Sequence, residues 1–138
     1  MKSVELQERT KRFALRILKL IEHLPDTIGG RVLANQLARS ATSVGANYRA
    51  ACRARSRAEF ASKIGTVAEE ADESLFWLEL IRDGKFMSEK RISALATEAD
   101  ELTAIFTSGR RTAVRNQPPV RRSLGEGGSK IKPQTSER

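Results

Sequence analysis

The 138-residue chain has one cysteine, one histidine, one tryptophan and one tyrosine. A single cysteine excludes an intramolecular disulfide framework, and a single histidine excludes zinc and haem sites built on several imidazoles. Aromatic residues make up 5% of the chain. That is too few for stacking-based recognition of single strands, and with abundant Ala, Leu, Arg and Glu it favours helices over strands. No apolar run approaches the roughly 20 residues that span a bilayer. The opening Met-Lys-Ser-Val-Glu leads into a charged amphipathic segment without the apolar core of a signal peptide, so the expected location is the cytoplasm, away from any membrane.

What the chain has in excess is positive charge, 25 Lys+Arg against 17 Asp+Glu, a formal net charge of +8. The excess is uneven. From Gly109 onward eight basic residues face two acidic ones, so that stretch carries +6 and residues 1–108 only +2. The stretch also holds Pro118, Pro119, Pro133 and the run Gly125-Glu126-Gly127-Gly128, and it has no apolar periodicity. The expected division is a folded domain over 1–108 and a disordered basic tail over 109–138.

Four segments show helical spacing. The first runs from about Ser3 to His23 on Leu6, Phe13, Ile17, Leu20 and Ile21, and Pro25 stops it. Its outer side carries Arg9, Arg12, Arg16 and Lys19; Glu5 and Glu8 offer i,i+4 partners to the first two. The second starts at Asp26, a plausible N-cap, or at Gly30, and runs to Arg53 on Leu33, Leu37, Val44, Tyr48 and Ala51. Beside that stripe lies a polar row, Gln36, Ser40, Ser43 and Asn47, which predicts close helix packing with local backbone hydrogen bonds. Six arginines and no acid lie between Arg31 and Arg57.

The third segment opens with the capping-box pattern Ser56-Arg57-Ala58-Glu59 and ends near Asp83. Phe60, Ile64, Val67, Ala71, Leu75 and Leu78 line its core face. Two basic residues against seven acidic ones between Glu59 and Asp83 give it a charge of −5. Phe76 and Leu80 fall off the core stripe, near Glu69 and Glu73, with Trp77 to the side. Such a second apolar patch predicts burial in an oligomer. The fourth segment runs from Ser88 to about Ser108 on Ile92, Leu95, Ala96, Ala99, Leu102 and Phe106, with Gly109 as its stop. Short connections between four helices predict an all-α, antiparallel, up-down-up-down four-helix bundle.

Three strings taken together, NQLARSATSVGANY (Asn35–Tyr48), CRARSRAEF (Cys52–Phe60) and EEADESLFWLEL (Glu69–Leu80), resemble the four-helix bundle proteins of the 23S rRNA intervening-sequence family. The resemblance implies a small bacterial cytoplasmic bundle that forms homo-oligomers, commonly pentamers. Accessory variability proteins of diversity-generating retroelements are similar to the same family, and they bind nucleic acid and a reverse transcriptase through a basic pentameric barrel. Ala50 is a departure, because many relatives carry Glu there. Without that carboxylate the surface of the second helix becomes more basic.

The sequence offers no catalytic arrangement. No Glu-x-x-His pair supports a di-metal reading of the acidic run, and no histidine neighbours Cys52 in sequence. Gly29-Gly30 follows no strand and precedes no Gly-Lys-Ser/Thr. The expectation is therefore a non-enzymatic protein without metal or cofactor. Its candidate phosphate contacts, to RNA or DNA, are Arg16, Lys19, Arg39, Arg49, Arg53, Arg55 and Arg57. Its candidate oligomer interface is Glu69, Glu73, Phe76, Trp77 and Leu80. The alternative is a protein-interaction scaffold, in which the arginine face of the second helix meets the acidic face of the third across subunits without nucleic-acid binding.

Overall fold

The computed structural model describes residues 2–116. Their apolar stripes fold into α1 (Ser3–Ile21), α2 (Ile28–Cys52), α3 (Arg57–Asp83) and α4 (Glu89–Arg115). Each helix packs on its neighbours in sequence, so the order around the bundle is α1, α2, α3, α4, and α1 and α4 meet only along a narrow seam. The core is largely made of the residues whose periodicity announced it, but Ile81 joins it, and Ile21, Phe60 and Leu75 of the expected stripes are only half-buried. Phe13, Ile17, Leu37, Val44, Val67, Leu78, Ile81, Ile92, Leu102 and Phe106 are all fully or almost fully buried. The expected all-α four-helix bundle is the fold observed.

Local chemistry fixes the ends. Ser56 Oγ accepts from the N–H of Glu59, while the Glu59 carboxylate accepts from the N–H of Arg55, one residue before the position a capping box uses. Thr27, and not Asp26, caps α2: its Oγ accepts from the N–H of Gly30 at 3.1 Å, and Asp26 pairs with Arg31 instead. Gly30 packs on the preceding turn so tightly that a Cβ there would stand 2.0 Å from the Pro25 carbonyl oxygen. The α3–α4 turn closes through Phe86 N–H to Ile81 O, with Lys85 in the left-handed region at φ 59°.

Small residues set the helix spacing. Gly45 lies against Thr10, which lets α1 approach α2. Ser40 and Ser74, both fully buried, join α2 to α3 by a 2.8 Å hydrogen bond. Asn47 donates to the carbonyl of Ser43 at 2.9 Å, so the polar row of α2 serves packing and local backbone bonding. The α1–α4 seam is clasped by Arg9, which bonds both oxygens of Glu98 at 2.7 and 2.8 Å and reaches Glu101 at 2.8 Å.

The domain boundary moves. α4 does not stop at Ser108 but continues through Gly109 to Arg115. Gly109 faces Ile64 of α3, and Arg57 donates to the carbonyl of Asn116 at 3.0 Å, so α3 supports the extra turns. Packing overrides the low helix propensity of one glycine. The remainder of the expected tail, 117–138, lies outside the described residues.

Two predictions follow from this packing. Gly30→Ala should lower unfolding stability by more than about 1 kcal/mol in a denaturant titration, because the new methyl group meets backbone and not a yielding side chain. Burial, with hydrogen bonding and charge interaction from Cys52, pushes the Tyr48 hydroxyl up to about 12. The folded state therefore holds this proton more tightly than the unfolded chain, whose tyrosine titrates near 10. The Tyr48 contribution to stability is intact below pH ~10 and is lost as pH rises towards 12. Absorbance at tyrosinate wavelengths should show the chain's one tyrosine ionising late, and a transition near 10 in the folded protein would refute this.

Candidate nucleic-acid interface and assembly face

Antiparallel packing brings the C-terminus of α2, the α2–α3 turn, the N-terminus of α3 and the C-terminus of α4 to one end of the bundle. Arg49, Arg53, Arg55 and Arg57 are all exposed there. Two of them, Arg55 and Arg57, line a groove of about 880 Å³ whose other walls include Phe60, Thr112 and Asn116. The extra turns of α4 add Arg110, Arg111 and Arg115 to the same end. Gly65 leaves room for the Arg110 side chain, whose Nε would lie 2.8 Å from a Cβ at that position. By sequence these three arginines belong to the expected tail, because Gly109 has the pattern of a helix stop.

Helix electrostatics divides this cluster. Arg49 and Arg53 end α2 and Arg115 ends α4, where cations favourably face the negative pole of the helix dipole. Arg55 and Arg57 have no such reason. They flank the positive N-terminus of α3, where a cation is disfavoured and a phosphate is welcome. Arg57 bonds the Asn116 carbonyl, and Arg55 forms no ion pair among the described residues.

The other expected phosphate contacts are not part of this end. Arg39 lies partway along α2 and pairs within the chain with Glu73 and, at 3.3 Å, with Glu70. Hydrogen bonding to Glu73 raises its pKa above the usual arginine value. This contact locates a meeting of the α2 arginines with the α3 acids inside one subunit, where the scaffold reading placed it between subunits. Arg16 and Lys19 are exposed on α1, away from the groove.

The apolar patch of α3 is present as expected. Phe76 is 49% and Leu80 39% exposed. Trp77 is half-buried, meets Phe76 edge-on at 5.0 Å between ring centroids, and donates from Nε1 to Glu73 at 3.1 Å. Glu69 is exposed beside them. The sequence reading missed the neighbouring edge of α2. Ile28 and Val32 are 76% and 50% exposed and share a helical stripe with Arg39. The Arg39–Glu73 pair sets that stripe beside the one holding Phe76 and Leu80, so the patch spans both helices. Its signal was an i,i+4 apolar pair off the core stripe, hidden because the start of α2 was not fixed.

Among the described residues no group of three or more His, Cys, Asp or Glu is placed to hold a metal ion, and no helix is long and apolar enough to cross a membrane.

Comparison with known proteins agrees with this architecture. Among solved structures, the chain is similar to a protein of unknown function from the S23 ribosomal protein family of Bacteroides thetaiotaomicron. The two are 30% identical with a TM-score of 0.71, over 76% of this chain and 97% of that one. No curated protein matches. Residues 2–108, all four helices short of the last turns of α4, match the 23S rRNA-intervening sequence protein family, and the chain belongs to that family.

Proposed function

We propose that this protein is a non-enzymatic, cytoplasmic homo-oligomer that binds RNA or DNA by its basic end. The observation that supports the reading is the gathering of Arg49, Arg53, Arg55, Arg57, Arg111 and Arg115 at one end of the bundle, where Arg55 and Arg57 line a groove. None of these guanidinium groups forms an ion pair with a carboxylate among the described residues. Such a surface recognises phosphate oxygens through planar, bidentate arginine bonds and reads charge, not base sequence. The exposed patch of α2 and α3 supports self-association, and repetition of the basic end in an oligomer multiplies weak contacts into avidity. The family resemblance points to a pentamer, and, if the gene belongs to a retroelement, to a reverse transcriptase as protein partner. The competing scaffold reading is favoured by the same patch but leaves the cations around the groove unexplained.

Gel retardation and fluorescence anisotropy test the basic end. The intact oligomer should bind RNA or DNA at low salt and lose affinity steeply as salt rises, with roughly 0.7–0.9 units of log–log slope per phosphate contact. Arg49→Glu combined with Arg53→Glu should weaken binding at least about tenfold and reduce that slope. Lys90→Glu, at the far end of α4, should do neither. Absence of binding by the intact oligomer to both nucleic acids would overturn the reading. Self-association is tested separately by native mass spectrometry: Leu80→Glu should reduce the oligomer to monomers, and an unchanged mass would reject the patch as an interface.

A further inference from the structure

The basic end holds a feature that phosphate contacts alone leave unused. Meeting the outside of a phosphate backbone takes exposed cations and no cavity. Yet a groove of about 880 Å³ lies between the start of α3 and the last turns of α4. Its walls are largely apolar. Ala54, Gly109 and Ala113 are small enough to leave it wide, and Phe60 is the one aromatic residue lining it. Phe60 is half-buried: it packs on the core and also forms part of the groove wall. Pockets for small organic ligands run from roughly 300 to 1,000 Å³, so there is room for one nucleotide.

Arg55 and Arg57 line the same groove and are exposed. Neither forms an ion pair with a carboxylate among the described residues. Arg57 donates to the carbonyl of Asn116, a neutral acceptor that leaves its charge uncompensated. The acid nearest in sequence, Glu59, accepts from the backbone N–H of Arg55. An apolar wall with an aromatic ring, beside two uncompensated guanidinium groups, matches the two halves of a nucleotide. The base offers an apolar face to the ring, and the phosphate takes planar arginine bonds. Paired bases cannot use such a groove, because their faces are covered by their neighbours in the stack, whereas an unpaired base can be splayed out into it. A single ring cannot read a sequence, but every base has a π-face, and one ring holds one base.

We propose that this groove takes one unpaired nucleotide of a nucleic-acid strand, with its base against Phe60 and its phosphate on Arg55 and Arg57. The inference rests on the nucleic-acid reading above and names the part of the strand that the basic end selects. Phosphates on either side of the unpaired nucleotide then meet Arg49, Arg53, Arg111 and Arg115, exposed at the same end. The protein therefore prefers strand ends, bulges and single-stranded segments to continuous duplex, without preference for base sequence.

Two probes with the same number of phosphates test this. One is a DNA duplex with a short unpaired adenosine tail, and the other is the same duplex with an abasic tail. By fluorescence anisotropy the wild-type oligomer should bind the adenosine tail at least about fivefold more tightly, with equal salt slopes for the two. Phe60→Leu keeps an apolar side chain for the core and should bring the adenosine tail down to the abasic affinity, which itself should not change. Gly109→Leu with Ala113→Leu fills the groove from the α4 side and should do the same. A Cβ at Gly109 meets nothing closer than Ile64 at 3.9 Å, so this variant should keep its helicity by circular dichroism. Adenosine monophosphate at micromolar concentration should not displace the probe, because it lacks the contacts to the surrounding arginines. Displacement by it would assign the groove to free nucleotides and overturn the proposal. Equal wild-type affinity for the two tails, or a base preference that survives both variants, also overturns it and leaves backbone binding standing. Failure of the wild type to bind either probe overturns the nucleic-acid reading itself.

Discussion

The registration of α2 on α3 by a buried pair of serines governs the surfaces of this protein. Ser74 donates to Ser40 at 2.8 Å, and Ser40 is in turn placed to donate to the carbonyl of Leu37. Each hydroxyl also has a carbonyl acceptor in its own helix, Leu37 O for Ser40 and Glu70 O at 2.9 Å for Ser74, so the bond between them adds to the register and does not by itself rescue either group. Hydroxyls of this size also allow the backbones to approach more closely than Leu or Ile would. Everything at the same level follows. Arg39 reaches Glu70 and Glu73, Trp77 Nε1 donates to the same Glu73, and Val32 comes level with Leu80. One turn of slippage would leave Arg39 without its carboxylates and divide the apolar patch in two.

The unequal helix lengths supply a second constraint. α1 has 19 residues, whereas α3 and α4 have 27 each. α3 and α4 therefore run past the start of α1, and the groove at the basic end opens where α1 has no more helix to cover them. Arg57 ties the start of α3 to the end of α4 at that rim. The same shortage narrows the α1–α4 seam, which is why a clasp as specific as Arg9 with Glu98 and Glu101 sits there. Arg9 and Glu98 are both mostly shielded from water, which makes their bidentate contact stronger than an ordinary surface pair.

Most of the fold was legible in the sequence because burial in a helical bundle leaves a period that a single chain displays. Phe13, Ile17, Leu37, Val44 and Phe106 were all identified from spacing and are all buried. The readings that failed concern contacts between elements. Gly109 resembles a helix stop until Ile64 is seen beside it. Asp26 is as good a cap as Thr27 until Arg31 is seen to claim its carboxylate. The basic run from Arg31 to Arg57 reads as one surface, but helix geometry distributes it around α2 and the turn that follows. Arg39 falls next to Glu73, Arg31 next to Asp26, the last four reach the basic end, and only Arg55 and Arg57 line the groove. Residue type and spacing define a face; which helix covers that face is decided by the packing of the whole bundle.

The net charge of the chain is consequently a poor guide to what it binds, and the placement of charge a better one. The acidic residues concentrate on the side of α3, the unpaired cations of α1 on another side, and the arginines of α2, α3 and α4 at one end. Side faces and ends of a bundle are perpendicular, so a contact made through the α2–α3 patch does not occlude the groove. In a ring assembled through side faces every subunit has the same orientation, and all the basic ends come to a single rim. A phosphate backbone laid along that rim meets the same arginine cluster once per subunit. Individually exposed contacts of this kind are weak and strongly screened by salt, but their repetition at fixed spacing converts them into avidity. Assembly and nucleic-acid binding, which compete for the same arginines when only the sequence is considered, are then supported by different residues of the same bundle.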